Sequence, residues 1–249
     1  MFTLCIATMD RFDNFLYKYL PDYLNNELID EIIITDENGN DANKIQTAFP
    51  NNSKIKVFVN DNCLGPFLNK MKACSFAQNE WIVLMDSDNF APTNYFSNAA
   101  DYINNNIIKG QKNVILAPCF ARPRFNFYHL NGLVYEKGSF QSNNFIEHQL
   151  ITENNMNSEV LMNTGNYVLN KYLIDNLDLL KERSNINFSS ACDVIYFNTL
   201  LFEQLDLKLH VVSTMEYDHV VHDGSIFVQT HIQNSKFIDE VHQRYRNLQ

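Results

Sequence analysis

Glycine is scarce in this 249-residue chain. The seven present (Gly39, Gly65, Gly110, Gly132, Gly138, Gly165 and Gly224) never stand as Gly-x-Gly. Neither the Gly-x-Gly-x-x-Gly turn of dinucleotide-binding proteins nor the Gly-x-x-x-x-Gly-Lys phosphate loop can therefore be written with them. Cysteine is also thin: Cys5, Cys63, Cys74, Cys119 and Cys192 are odd in number, widely spaced and free of any Cys-x-x-Cys. That pattern argues against a disulfide framework and a structural zinc site, and it sets a reducing, cytoplasmic compartment as the expectation. No apolar run approaches the ~18 residues of a membrane span. The apolar start, Phe2–Ala7, is too short for a signal segment and lacks its basic flank. Positive charge is short as well: 19 Lys and Arg face 29 Asp and Glu, a formal net charge of −10. Such a chain has no broad field to attract nucleic acid or anionic lipid.

What is present is an ordinary globular composition, 45% hydrophobic and 19% charged, with enough apolar material for a real core. Neither an internal repeat nor a Pro/Gly/Ser linker divides it, so the expectation is one domain over 1–249. Apolar runs alternate with helix-period segments. Phe2–Ala7, Ile29–Thr35, Ile55–Val59 and Trp81–Met85 predict strands, and Phe12–Leu20, ending before Pro21, and Gly65–Ala77 predict helices. Trp81–Met85 is apolar throughout, as suits a parallel strand covered on both faces. Strand, helix, strand at this cadence implies right-handed crossovers and an α/β fold, a mostly parallel open sheet flanked by helices. Beyond another strand at Val114–Pro118, residues 120–162 lose clear period. Tyr167–Leu180 and Ala191–Leu205 then predict helices, with late strands at Lys208–Ser213 and Tyr217–Val221.

Ligands of an open parallel sheet bind beyond the carboxyl ends of its strands. Those ends carry Thr8-Met9-Asp10-Arg11, Asp36-Glu37-Asn38, Asn60-Asp61-Asn62 and Asp86-Ser87-Asp88-Asn89. Carboxylates gathered on one rim repel unless a positive group sits among them, and a divalent cation with a phosphorylated ligand supplies one. The alternative is that Asp and Asn simply favour turns and helix caps. Spacing separates the two readings at Asp86 and Asp88. On an extended segment, residues i and i+2 share a side, so this pair offers two hard oxygen ligands together, the set that Mg2+ or Mn2+ shares with substrate phosphates. A nucleoside diphosphate is the ligand this implies.

The order of Thr8-Met9-Asp10-Arg11, Thr35-Asp36, Asn60-x-Asn62-x-Leu64-Gly65 and Trp81-Ile82-Val83-Leu84-Met85-Asp86-Ser87-Asp88-Asn89 resembles the large inverting family of GT-A-fold, nucleotide-sugar-dependent glycosyltransferases. The resemblance covers residues 1–95 well and the rest more thinly. It implies a metal-dependent transfer of sugar from a nucleotide-diphosphate sugar to a hydroxyl of a glycan, protein or small molecule. Residues 1–118 would form the donor half and 119–249 the acceptor half. Carried over residue by residue, it places Thr8, Asp10, Arg11, Asp36, Glu37 and Asn62 around the nucleotide, with Asp86, Ser87 and Asp88 holding ribose and the Mn2+ or Mg2+ ion. Lys70 occupies the slot of a base facing the diphosphate, although Gly65-Pro66-Phe67-Leu68-Asn69-Lys70 departs from the usual Gly-x-x-x-Ala-Arg-Asn. Met162-Asn163-Thr164-Gly165-Asn166-Tyr167 is similar to the family's turn beside donor sugar and acceptor, which brings in Gly165 and Asn166. Asp193 matches the second member of an acidic pair, the general base, with Cys192 where the first acid usually stands; the alternative is a helix-start residue stabilised by the macrodipole. His219-Val220-Val221-His222-Asp223-Gly224-Ser225 is similar to a segment that closes over the diphosphate. There His222 would ligate the metal or hydrogen-bond phosphate, and strand alternation would put His219 on the opposite face, so that only one of the two reaches the site. The aromatic- and arginine-bearing stretch Phe120–His129, continuing to Glu147-His148, is either an acceptor surface or a packed loop.

Two enzymes with similar demands are disfavoured. A sugar-phosphate nucleotidyltransferase needs a glycine-rich basic loop after the first strand, and an Asp-x-Asp phosphatase places its motif early. A non-catalytic nucleotide- or sugar-binding domain on the same scaffold is the alternative kept open by Cys192.

Overall fold

The computed structural model describes residues 1–138, 165–182, 193–222, 224–225 and 235–248. The expectations for Glu147-His148, Met162–Thr164, Cys192 and Asp223 lie outside these residues. Strands β1 (Phe2–Thr8), β2 (Ile29–Asp36), β3 (Ile55–Val59) and β4 (Trp81–Asp86) alternate with helices α1 (Tyr17–Asn25), α2 (Asn40–Ala48) and α3 (Gly65–Ser75). Helix α4 (Thr93–Asn106) then leads to β5 (Val114–Arg122), β6 (Phe125–Asn126) and β7 (Val134–Tyr135). The remaining elements are β8 (Val168–Asn170), α5 (Lys171–Asn176), α6 (Asp193–Gln204), β9 (Lys208–Asp218) and α7 (Ser235–Arg246).

These strands make one sheet in the order β3-β2-β1-β4-β8-β5-β9-β7, with β6 beside β5. The pairs β1/β2, β1/β4, β2/β3 and β5/β9 are parallel, while β8 runs antiparallel between β4 and β5. The α/β fold with a mostly parallel open sheet is thus present. Side-chain alternation explains its two cores. Cys5, Ile33, Leu84, Ile115 and Leu209 face one layer with α3, α6 and α7, whereas Leu4, Ile32, Val83, Met85 and Leu116 face the other with α1 and α4. Among the described residues no helix is long and apolar enough to cross a membrane.

The structure corrects several sequence expectations. Helix α1 runs on through Pro21 to Asn25. A proline inside a helix costs a hydrogen bond, yet the apolar stripe continues past it: Tyr23 is buried and stacks on Phe90 at 5.6 Å. Residues 168–170, expected in a helix, form β8, because a three-residue segment between two strands has no period to read. Helix α5 starts only after Asn170, whose side chain accepts from Tyr172 N–H at 3.0 Å. The two late strands are one continuous β9. The break expected after Ser213 falls at the register shift between Pro118 and Phe120, where Ser213 and Thr214 are exposed, and β9 stops at Asp218 rather than Val221. Helices α2, α4 and α7 were not anticipated, although Tyr95, Phe96 and Ala99 of α4 are buried at helical spacing.

Candidate active site

The carboxyl ends of β1, β2 and β4 point to one edge of the sheet, and β4 delivers its last residue, Asp86, there. Asn166, fully buried just before β8, accepts the Asp86 N–H at 2.7 Å and fixes the strand end. Asn89 returns to the same carboxylate at 3.3 Å. The extended arrangement expected for Asp86 and Asp88 is not what forms. β4 ends at Asp86 and residues 87–88 make a turn, closed by the Asn89 N–H on the Asp86 carbonyl at 3.1 Å, so the strand alternation does not extend to Asp88. Ser87 is buried within that turn.

Each acid meets a different partner. Lys70, on α3, places its ammonium 2.7 Å from Asp86 Oδ1 and 2.6 Å from Asp193 Oδ2, at the first turn of α6. The two carboxylate oxygens therefore lie no more than the sum of those distances apart, 5.3 Å. At an effective dielectric of ~20, like charges that close repel by roughly 3 kcal/mol. The intervening ammonium is what makes the approach tolerable. Burial pulls Lys70 down, but Asp193 and then Asp86 outweigh it and hold the ammonium above its ordinary range. Asp193 itself is raised above the ordinary carboxylate range by burial and by Asp86, against the pull of Lys70. On the other side of the turn, His222 Nε2 stands 2.9 Å from Asp88 Oδ2. Burial and the nearby Asp86 charge raise the Asp88 carboxyl, while His222 and Arg11 lower it.

The segment after β9 reaches the site by backbone contacts. Asn89 Oδ1 accepts Val220 N–H at 2.9 Å, and Arg11 Nη2 donates to the Gly224 carbonyl at 2.7 Å. The His222 ring packs on Phe15 at 5.2 Å. Strand alternation does not decide between the two histidines, because β9 ends at Asp218. His219 instead donates its backbone N–H to Arg122 and packs its ring edge-on against Phe125 at 5.1 Å, and burial lowers its imidazole.

The nucleotide-side residues occupy the neighbouring loops. Asp41, fully buried at the start of α2, accepts from Thr8 Oγ1 and from the backbone N–H groups of Arg11 and Phe12, binding the β1 loop to α2. Asp36 is fully buried, and its oxygens accept from Asn38 N–H at 3.3 Å and Ala42 N–H at 2.9 Å. Glu37 accepts from Leu64 N–H at 2.8 Å and Asn60 Nδ2 at 3.2 Å, tying the β2 loop to the loop before α3, where Asn62 is exposed. Asp10, exposed and at φ +56°, receives the side-chain amides of Asn38 and Asn40. Two members of the Phe120–His129 stretch face charge: Arg122 pairs with Asp218 at 2.8 Å, and Tyr128 donates to Glu216.

The structure thus brings Asp86, Asp88, Lys70, Asn166, Asp193 and His222 together, with Arg11 beside them. Gly165 adjoins this group, at φ +73°, against Val194 of α6. Thr8, Asp10, Asp36, Glu37 and Asn62 line the adjacent loops. Sequence reasoning missed Asp41 and Asn89 as anchors. Asn89 stood in the motif, but only the fold brings Val220 to it.

No curated protein sequence matches the chain. Solved structures do. S. aureus TarS residues 1–349 with UDP-GlcNAc aligns over 98% of this chain and 66% of its own length, at 12% identity and TM-score 0.62. GalNAc-T7 with UDP, GalNAc and Mn2+ aligns over 97% and 50%, at 12% identity and TM-score 0.60. Glucosyl-3-phosphoglycerate synthase from Mycobacterium tuberculosis, with Mn2+, UDP and phosphoglyceric acid, aligns over 98% and 78%, at 12% identity and TM-score 0.58. These likenesses carry the GT-A-like fold. The model of glycosyl transferase family 2 matches residues 3–153, more than half of the sequence. With that match the chain belongs to glycosyl transferase family 2 and is a glycosyltransferase.

Proposed function

We propose that the protein moves a sugar from a nucleotide-diphosphate sugar to an acceptor hydroxyl with inversion, with a divalent cation at Asp88 and His222. The observation that carries this reading is the meeting of Asp86 and Asp193, from distant parts of the chain, on the single ammonium of Lys70. It sets an acid of the donor motif and a candidate base around one cation. The neighbours solved with UDP, UDP-GlcNAc or Mn2+ support the same assignment by analogy of fold.

The donor atoms suit the cation. An Asp88 carboxylate oxygen and the His222 imidazole nitrogen face each other at 2.9 Å, a mixed oxygen and nitrogen set that Mn2+ accepts, with Asp86 two residues from Asp88. Among the described residues no cluster of three or more His, Cys, Asp or Glu side chains could hold an ion unaided. A site with so few protein ligands fits an ion completed by phosphate oxygens and water. When bound, the ion would neutralise charge on the leaving diphosphate.

The chain's own residues supply the rest. Arg11 adds positive charge beside the same edge, and Thr8, Asp10, Asp36, Glu37 and Asn62 shape the nucleoside end. Asn166 holds the end of β4 through the Asp86 N–H, and Ser87 and Gly165 complete the donor side beside it. Asp193 takes the acceptor hydroxyl proton as that oxygen attacks the anomeric carbon, and the bond from that carbon to the diphosphate oxygen breaks on the opposite face. Burial raises the Asp193 carboxyl, which strengthens it as a base, while Lys70 pulls it the other way. Cys5, Cys63, Cys74 and Cys119 are free thiols, which supports placing the reaction in a reducing compartment.

The test is turnover. A panel of UDP- and GDP-sugars is screened with Mn2+ for thermal stabilisation and for nucleotide release, since a ligand that binds only the native state raises its stability. Asp193→Asn is expected to keep the stabilisation and lose turnover by ~100-fold or more. Unchanged turnover in that variant would remove Asp193 as the base.

A further inference from the structure

We infer that Lys70 is a positioning residue, whose ammonium sets the distance and orientation of the Asp193 carboxylate relative to the donor motif, rather than a clamp on the diphosphate. This inference rests on the reading of Asp193 as the base. Its ground is how completely the lysine is engaged and how firmly its helix is held.

The Lys70 side chain is 13% exposed and already lies within 2.7 Å of two carboxylates. A phosphate seeking this ammonium would have to compete with both. The residue before it anchors the helix to the sheet. Asn69, 2% exposed, donates its amide to the Thr35 carbonyl at 3.3 Å, and its own carbonyl accepts Thr35 Oγ1 at 3.1 Å. Its side-chain oxygen takes the Asn60 amide at 3.0 Å. Lys70 therefore projects from a backbone fixed on β2. Asp193 is held from the other side: Val194, the next residue, packs onto Gly165, and Asn198, one turn on, donates to Tyr167 hydroxyl at 3.0 Å. Between these two supports a four-carbon stem and one nitrogen make a strut linking α3, the end of β4 and the start of α6. Misplacing a reacting group by an ångström can cost about 100-fold in rate. A strut of this kind acts on kcat, whereas a diphosphate clamp acts on nucleotide affinity.

The experiment compares wild type, Lys70→Met, Lys70→Arg and Asp193→Asn, each with Mn2+. UDP affinity is measured by calorimetry. Turnover is measured with whichever of UDP-GlcNAc, UDP-glucose and GDP-mannose the wild type uses fastest. The expected result for Lys70→Met is kcat lowered by about 100-fold, with UDP Kd and donor KM within about twofold of wild type. Lys70→Arg is expected to restore a good part of the lost kcat, because it keeps the cation while altering its reach. UDP affinity weakened tenfold or more with kcat preserved would make Lys70 a diphosphate clamp and overturn the inference, as would Lys70→Met with both parameters unchanged. Should Lys70→Met fail to melt cooperatively, Lys70→Gln, whose amide can still donate to one carboxylate, is read by the same two parameters. Asp193→Asn separates the layers. Full turnover in that variant removes the base reading itself, whereas its inactivity beside a fully active Lys70→Met removes the strut alone.

Discussion

At the scale of single residues, burial decides which charges the fold can carry. His210 lies 8% exposed on β9, with Nδ1 at 3.1 Å from Tyr102 hydroxyl and Nε2 buried without a hydrogen-bond partner among the described residues. Burial, helped by Lys208 and opposed by Glu136, lowers its imidazole below the ordinary value. The unfolded chain therefore binds a proton that the folded one resists, and its stability contribution, complete above about pH 6.5, is lost as the medium turns acid. Urea titrations from pH 7.5 downward are expected to show His210→Gln with a shallower acid-side loss than wild type, by at most about 1.4 kcal/mol per pH unit. Parallel slopes for the two proteins would rule this histidine out as a source of acid sensitivity. Nothing in the sequence around His210 announced that role, because a histidine in a strand reads the same whether its neighbours bury it or not. Asp86, Asp88 and Lys70 were legible for the opposite reason: acids one residue apart at the end of an apolar strand, and a lysine one helix earlier, are local patterns.

At the scale of elements, the start of α6 is set by contacts that no spacing reveals. Gly165 has φ +73°, and a Cβ placed there would lie 2.5 Å from Val194 Cγ2. Gly165→Ala should therefore cost roughly 1–3 kcal/mol of stability by its backbone strain, with steric displacement of α6 added. Pairing it with Val194→Ala should recover the steric part only. Thermal melts check this, and a melting temperature for Gly165→Ala equal to that of wild type would contradict it. Ile29–Asp36 and Gly65–Ser75 could be read in advance because period and composition agreed over eight or more residues. β8 could not. Its three residues became a strand only because β4 and β5 offered unsatisfied edges on either side. The end of α1 was misjudged on Pro21 for a related reason: tertiary packing of Tyr23 on Phe90 and Phe96 outweighed the local rule.

At the scale of the whole molecule, one sheet joins the two halves. β8 and β9 come late in the chain yet sit beside β4 and β5. The late segment then returns across the sheet edge to place His222 on Asp88 and the Gly224 carbonyl on Arg11. The sheet and its acid-bearing edge were foreseeable from the run of strand, helix and acidic turn. The pairings across that edge were not, since they join residues more than a hundred positions apart. The central claim is that this edge grips a nucleoside diphosphate through a cation at Asp88, and calorimetric titration of UDP tests it most directly. Wild type should bind UDP with Mn2+ and far more weakly with EDTA, while Asp88→Ala, its circular dichroism unchanged, should show only the weak binding under both conditions. Equal, Mn2+-dependent affinity in the variant would contradict the claim.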